Sequence, residues 1–207
     1  GINVAASGAT VNVGAGTYIE DILVNKTLVL DGAGVGVSTI SGAIGGDVAT
    51  VRITGNDVEV RDFTITREGN NVGQWNDPGL NSAGVAIQGQ AVTGALIHDN
   101  QIVGNRTAID INNSNGHTIR NNVVENNHTR LFFRNQTDGL VVTENAIVNN
   151  RTVGVLFLDA SGGANVPVQQ ALGSVFFNNN ISGNWYGQIA DRQAGGGRKP
   201  PRHALGR

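Results

Sequence analysis

The chain has 207 residues, of which 39% are hydrophobic and only 14% charged, with 30 glycines and 26 asparagines. Its Val, Ile and Leu content excludes a disordered chain, and its Gly and Asn content excludes long helices because both residues favour turns. The absence of Cys excludes disulfides and thiolate metal sites. Four of the 14 basic residues lie in the last ten positions, which leaves ten basic residues against 16 acidic ones before them. We therefore expect no nucleic-acid partner.

The first third of the chain predicts short strands separated by Gly-rich turns. In chain order these are Thr10–Val13, Asp21–Asn25, Thr27–Leu30, Thr50–Thr54 and Val58–Thr66. A longer loop, 69–82, follows them and holds Trp75. Loops of this length often carry function. No run of about 18 apolar residues occurs, so no membrane insertion is predicted.

Four later segments can be laid over one another, and each contains Asn-x-Ile/Val-x-x-Asn. They are ALIHDNQIVGN (95–105), HTIRNNVVENN (117–127), LVVTENAIVNN (140–150) and SVFFNNNISGN (174–184). Their first asparagines, Asn100, Asn122, Asn145 and Asn179, are 22, 23 and 34 residues apart, and an insertion over 159–173 accounts for the last interval. A period of 22–23 residues with three short strands predicts an all-β fold, a single-stranded right-handed parallel β-helix.

Alternation within each coil assigns side chains to the inside or the outside. Three inward columns are predicted: Ile97/Ile119/Val142/Phe176, Ile102/Val124/Ile147/Ile181, and Ile109/Ile111 with Leu131/Phe133 and Val155/Phe157. The repeated asparagines are expected to form ladders from coil to coil. Phe132, Leu156 and Leu158 point outward, and we expect the 159–173 insertion to cover them. The β-helix domain is placed at 1–194, and 195–207 (GGGRKPPRHALGR) is predicted to be a flexible basic tail.

The opening segment 10–42 carries Gly16-Thr17-Tyr18, Glu20, Lys26–Leu30, Gly32, Gly34 and Thr39–Gly42. These features resemble the first coils of the pectin-lyase-like β-helix superfamily, and the Asn-rich coils resemble its generic repeats. The resemblance covers most of residues 10–190. It implies a right-handed parallel β-helix, in a superfamily that includes polysaccharide lyases, hydrolases, methylesterases, epimerases and bacterial surface proteins.

The catalytic signatures of these enzyme families are missing. The chain lacks the motifs of pectin methylesterases, polygalacturonases and uronan epimerases, and Gly116-His117 lacks the second Gly of the polygalacturonase motif. The Gly-Gly-x-Gly-x-Asp calcium repeat is absent too. No family's catalytic residues are therefore transferred to this chain.

Two outward columns follow from the alignment of the coils. Asp62, Asp99 and Glu144 lie in one, and Arg61, His98 and Arg120 lie in its neighbour. Two carboxyls 5–10 Å apart are what a glycosidase needs, so the candidate catalytic residues are Asp99, Glu144, Asp62, His98 and Arg120. The alternative is a polar surface on which Arg relieves acidic repulsion, since any solenoid aligns its surface residues.

A second line of exposed residues follows the second ladder asparagine of each coil. It comprises Arg106, His128, Arg151 and Trp185, with Tyr186 next to it. Cations beside aromatic rings suit acidic or neutral sugars, so these residues and Trp75 are the candidate substrate-binding set. The alternative is that exposed turn positions accept any polar residue.

These features predict a secreted, periplasmic or cell-surface domain that binds a polysaccharide or surface glycan along an elongated outer face. One alternative is a glycoside hydrolase or polysaccharide lyase, and calcium is the candidate cofactor if the protein is a lyase. The other is a structural spacer or adhesin fragment. No metal ligands are assigned. Open β-edges at the two ends of the stack also predict end-to-end self-association.

Overall fold

The computed structural model describes residues 1–68, 71–75, 77, 79–89, 91–158 and 171–192, with the backbone alone at Arg130 and Arg192. This part contains a 3₁₀ helix, η1 (Ile2–Val4), and 21 strands. In chain order the strands are β1 (Thr10–Val13), β2 (Gly16–Ile19), β3 (Ile22–Val24), β4 (Val29–Gly32), β5 (Ser38–Gly42), β6 (Ala49–Ile53), β7 (Glu59–Arg61), β8 (Thr64–Arg67), β9 (Ala83–Gln88), β10 (Leu96–His98), β11 (Gln101–Val103), β12 (Thr107–Asn112), β13 (Thr118–Arg120), β14 (Val123–Glu125), β15 (Thr129–Arg134), β16 (Val141–Thr143), β17 (Ala146–Val148), β18 (Val153–Leu158), β19 (Val175–Phe177), β20 (Asn180–Ser182) and β21 (Gly187–Arg192). No helix in the described ranges has the length and apolar character needed to cross a membrane.

Every third strand joins the same sheet, which gives three sheets of seven strands: β1-β4-β7-β10-β13-β16-β19, β2-β5-β8-β11-β14-β17-β20 and β3-β6-β9-β12-β15-β18-β21. All the strand pairs are parallel. Leu96 pairs with Thr118, 22 residues later, and Thr118 pairs with Val141 after 23. The predicted right-handed parallel β-helix is confirmed, because parallel crossovers are right-handed.

The core lies on the axis of the helix, inside the three sheets. In the coils from Leu96 to Phe157, the predicted inward residues of the first two columns are fully buried, and Ile109, Ile111, Leu131, Phe133 and Val155 join them. Phe176 pairs with Val142 as predicted but is 36% exposed, because it belongs to the last described coil. Phe133, Phe157 and Phe176 form an aromatic cluster with centroids 5.3–6.0 Å apart. Contacts of this kind add to the area they bury.

Two ladders of buried asparagines run parallel to the axis, as predicted. In the first, the Nδ2 of Asn100 donates to the Oδ1 of Asn122 (3.2 Å), Asn122 to Asn145 (3.0 Å), and Asn145 to Asn179 (2.9 Å). The second repeats the pattern through Asn105, Asn127, Asn150 and Asn184. After the first asparagine of each ladder, every Oδ1 also accepts the backbone N–H of the asparagine in the preceding coil. The ladders therefore satisfy buried polar groups that neither sheet pairs.

The predicted strands of the first third need correction. Val58–Thr66 is not one strand but two, β7 and β8, because Asp62 adopts a left-handed backbone (φ 63°) that turns the chain onto the second sheet. The predicted strand Thr10–Val13 is confirmed as β1, and the other three strands shift by one to two residues. The strands β2, β5 and β9 were not predicted, because each is short and contains or adjoins a Gly that resembles a turn. The predicted register between Glu59–Ile65 and Leu96–Ile102 is confirmed.

Several predictions depend on residues that the structure leaves undescribed. The tail at 195–207 and most of the 159–173 insertion lie outside the described residues, as do parts of the 69–82 loop. Leu156 is 6% exposed, and its covering by the insertion stays a prediction. End-to-end association also stays a prediction. At the N-terminal end, Ile2 of η1 packs against the core, and the Lys26 Nζ bonds the Ala5 carbonyl at 2.8 Å.

We expect Asn122→Ala to lower the free energy of unfolding by at least about 2 kcal/mol, because it leaves the buried N–H of Asn100 without its acceptor. Asn112→Ala is the matched control. The Asn112 side chain is half-buried and accepts one bond, from Asn135, so its loss should cost less than about 1 kcal/mol. Urea unfolding measures both variants, and equal losses would contradict the stabilising role of the ladder.

A buried histidine closes the turn before β13. The Nδ1 of His117 accepts the Ala95 N–H at 3.1 Å, so the proton lies on Nε2, which donates to the Ser114 hydroxyl at 2.8 Å. Ser114 in turn donates to the Val92 carbonyl at 2.7 Å. Burial lowers the pKa of His117 from 6.5 to about 4. The neutral ring is thus part of the folded structure.

This histidine should make the fold sensitive to acid. The unfolded chain takes up a proton near pH 6.5 and the folded chain only near pH 4, so the stabilisation is complete above pH 6.5 and is lost as the pH falls. We expect this group to remove about 3 kcal/mol between pH 7 and pH 4. In urea titrations, His117→Gln should show a correspondingly smaller loss over this range. An identical pH dependence in both proteins would refute the assignment.

Candidate functional site

The first predicted column lies at a bend of the backbone. Asp62, Asp99, Asn121, Glu144 and Asn178 follow the first-sheet strands, and all have φ between 52° and 63°. This left-handed conformation favours Asn and Asp over most other residues. The requirements of the backbone therefore account for much of this polar column. Sequence alignment found the column correctly but gave no sign of its cause.

The neighbouring column forms ion pairs along the outer face of the first sheet. Arg61 donates two hydrogen bonds to Asp31, at 3.0 and 2.8 Å, and its Nη1 lies 3.5 Å from Glu59 Oε1. Asp31 pairs with Arg61 in the strand register, one coil away. It was missed because its coil precedes the recognisable repeat.

His98 extends this network to the next coils. Its Nε2 lies 3.0 Å from Glu59 Oε1, and its Nδ1 bonds Asp99. Asn121 donates to the other carboxylate oxygen of Asp99. His98 is only 4% exposed, so these bonds satisfy a nearly buried ring.

The pKa of Asp99 indicates what this network can do. Burial raises it, but hydrogen bonds from His98 and Asn121 and the charges of His98 and Arg120 outweigh burial, so the pKa lies below its ordinary value. A glycosidase acid requires a raised pKa. The coils of Asp62 and Asp99 are adjacent, whereas Asn121 lies between Asp99 and Glu144. The catalytic roles of Asp99, Glu144, Asp62, His98 and Arg120 stay predictions.

The second predicted line borders a depression of about 360 Å³ on the side of the helix. Four of its predicted members line it, together with three residues that were not predicted: His128, Arg151, Trp185 and Tyr186, with Val72, Gly73 and Thr152. The Arg151 Nη1 donates to the Val72 carbonyl at 2.9 Å across 79 residues of sequence. No sequence signal marks Val72 or Gly73, because they belong to a loop outside the repeat.

An exposed aromatic pair forms one wall of this depression. The rings of Trp185 and Tyr186 stack with centroids 5.8 Å apart and planes 10° apart. They are 69% and 72% exposed, although aromatic rings of this size are usually more buried. Arg106 and Trp75 are half-buried and do not line the depression.

The described residues contain no group of three His, Asp or Glu side chains placed to hold a metal ion. The whole chain has no Cys or Met and only four histidines. Both ring nitrogens of His98 and of His117 are hydrogen-bonded within the protein.

Three parallel seven-stranded sheets and two asparagine ladders define a parallel β-helix protein. The family model described as "Periplasmic copper-binding protein (NosD)" matches residues 2–184, so the chain belongs to that family. Comparisons with curated proteins and with solved structures gave no match. The family is described as periplasmic, which confirms the predicted secreted, periplasmic or cell-surface location.

We expect Glu144→Asn to raise the free energy of unfolding by about 0.5–1 kcal/mol, because Asn tolerates the left-handed conformation better than Glu. Glu20→Asn is the control, since Glu20 is exposed and does not have a positive φ. Thermal and urea unfolding test both variants. A destabilised Glu144→Asn protein would show that the Glu144 side chain makes contacts worth more than this strain.

Proposed function

We propose that this chain is a periplasmic β-helix domain that binds a glycan in the depression bordered by Trp185 and Tyr186. The exposed, stacked aromatic pair beside Arg151 and His128 is the observation that carries this proposal. Sugar rings present apolar C–H faces that pack on aromatic rings, and their hydroxyls bond polar side chains at the margin. Exposed aromatic surface beside polar groups is a feature of many ligand and partner sites.

The size and openness of the site suit an oligosaccharide. Its volume of about 360 Å³ lies in the range of small-molecule sites. The polar residues Arg151, Thr152 and His128 line the same depression as the aromatic pair, so one ligand could use both kinds of contact. The resemblance of segment 10–42 to the pectin-lyase-like superfamily, many of whose members act on polysaccharides, also favours a glycan.

The description of the family names copper, and the described residues of this chain do not fit that metal. Copper sites use Cys and Met sulfur or groups of imidazoles. The chain has no Cys or Met, and the nitrogens of His98 and His117 already have partners. His128 occupies the equivalent position in the coil between those of Arg106 and Arg151, and the positive charges of these arginines repel a cation. No role of the chain is derived through copper.

Binding without catalysis is favoured over a polysaccharide-active enzyme. The carboxylate of Asp99 is bonded by His98 and Asn121, and its lowered pKa opposes a role as proton donor. The first-sheet carboxylates also follow a backbone that requires Asp or Asn. The calcium-dependent lyase would need clustered carboxylates, and the described residues supply no such metal group.

The test is calorimetric titration of the chain with a panel of neutral and acidic oligosaccharides. We expect Trp185→Ala to weaken binding by about tenfold or more, because it removes the larger stacking surface. Phe177→Ala is the control, since Phe177 is an exposed aromatic residue (47%) on the first sheet.

Product analysis of the same mixtures separates binding from catalysis. Bound but intact oligosaccharide supports the proposal. If the oligosaccharide is cleaved and Asp99→Asn abolishes the cleavage, the protein is an enzyme. If no glycan binds, the structural spacer is the remaining hypothesis.

A further inference from the structure

Most arginines with described side chains are ion-paired to an aspartate. Arg52 pairs with Asp47, Arg61 with Asp31, Arg67 with Asp21 and Arg134 with Asp110, at distances of 2.6–3.3 Å. The exceptions among the described residues are Arg106, Arg120 and Arg151, which form no ion pair. Arg120 lies on the first sheet, where its charge acts on Asp99. Arg106 and Arg151 belong to the same line of residues, two coils apart. Arg151 lines the depression, whereas Arg106 lies outside its lining and its charge acts on Asp110.

Of the three unpaired arginines, Arg106 and Arg151 keep guanidinium donors that no described group accepts. Arg151 uses its Nη1 on the Val72 carbonyl, and no described group accepts from its other guanidinium nitrogens. The Nε of Arg106 is buried and has no hydrogen-bond partner among the described residues. A buried donor without an acceptor carries a free-energy cost. The remaining donors of Arg151, which lines the depression, are the ones that a ligand with acceptor oxygens would meet there.

The lining of the depression contains Arg151 and His128 but no Asp or Glu. The chain as a whole has more acidic than basic residues, so this local charge is opposite in sign to the net charge. Arg106, His128 and Arg151 stand on successive coils, about 5 Å apart along the axis. They form a basic stripe about 10 Å long that ends at Trp185.

We infer that the glycan of the proposed function is acidic, and that carboxylate or sulfate groups on it bind this stripe while a sugar ring stacks on Trp185. The inference rests on the proposed function and adds the chemical class of the ligand. Guanidinium groups bind both anions through paired, charge-assisted hydrogen bonds. The two anions share this chemistry, so the test includes both.

The experiment compares ligands that differ only in charge. Cellohexaose is titrated into the full chain beside its C6-oxidised form, which bears carboxylates, and beside its sulfated form. We expect at least one anionic form to bind ten times more tightly than the neutral form at low salt. Salt at 0.5 M should remove most of this difference. The Debye length falls from about 10 Å at 0.1 M to about 3 Å at 1 M, so added salt screens the attraction between the anionic groups and the arginines.

Variants locate the effect. Arg151→Gln should reduce the preference for the anionic form to within about threefold, and Arg151→Lys should retain most of it because the charge remains. Arg106→Gln leaves the Val72 contact untouched and should lower the preference in the same direction. Arg52→Gln, which removes the same charge from an exposed arginine that pairs with Asp47, is the matched control and should change nothing.

The outcomes separate the two proposals. Equal binding of neutral and anionic forms would overturn the acidic-ligand inference and leave glycan binding intact, whereas no binding of any form would overturn the proposed function itself. A single-stranded oligonucleotide bound as tightly as the anionic sugar would show a general polyanion surface and also overturn the inference. So would a preference that persists in both Arg151→Gln and Arg106→Gln.

Discussion

From Asn100 to Asn184 the asparagine ladders fix the position of each coil on the next, and the surface features of these coils depend on that registration. An inner ladder amide such as that of Asn122 accepts from the preceding asparagine and donates to the following one and to backbone carbonyls. Since Asn122 and Asn127 are at most 1% exposed, a coil shifted by one residue would leave several buried polar groups without partners. The interval from Asn145 to Asn179 is 34 residues, yet their amide contact of 2.9 Å matches the others. The longer interval therefore does not change the register of the ladder.

Registration decides which surface residues become neighbours. Arg61 meets Asp31, and His98 meets Glu59, because residues of the same phase stand one strand spacing apart. The left-handed bend after each first-sheet strand adds a row of Asp, Asn and Glu for reasons of backbone geometry. A row of carboxylates on a β-helix thus has a structural explanation before it has a catalytic one.

Sequence predicted the repeated part of this molecule well and the unrepeated part poorly. The 22–23-residue period gave the ladders, the inward columns and the line from Arg106 to Trp185, because each depends only on phase. The period could not predict that Val72 lies at the depression, because Val72 belongs to a loop outside the repeat. Val58–Thr66 was predicted as one strand because alternation continues through Asp62, while the change in φ that ends β7 leaves no mark on hydrophobicity.

Because a solenoid aligns whatever lies on its surface, alignment alone is weak evidence for a binding site. Stronger evidence is a departure from the pattern of pairing that the rest of the surface follows. On the first sheet, Arg61 is paired with Asp31 and Glu59. At the depression, no carboxylate among the described residues pairs with Arg151, and Trp185 is 69% exposed. A guanidinium without a described counter-charge, beside an exposed aromatic pair, is what a ligand with anionic groups and a flat apolar face would complete.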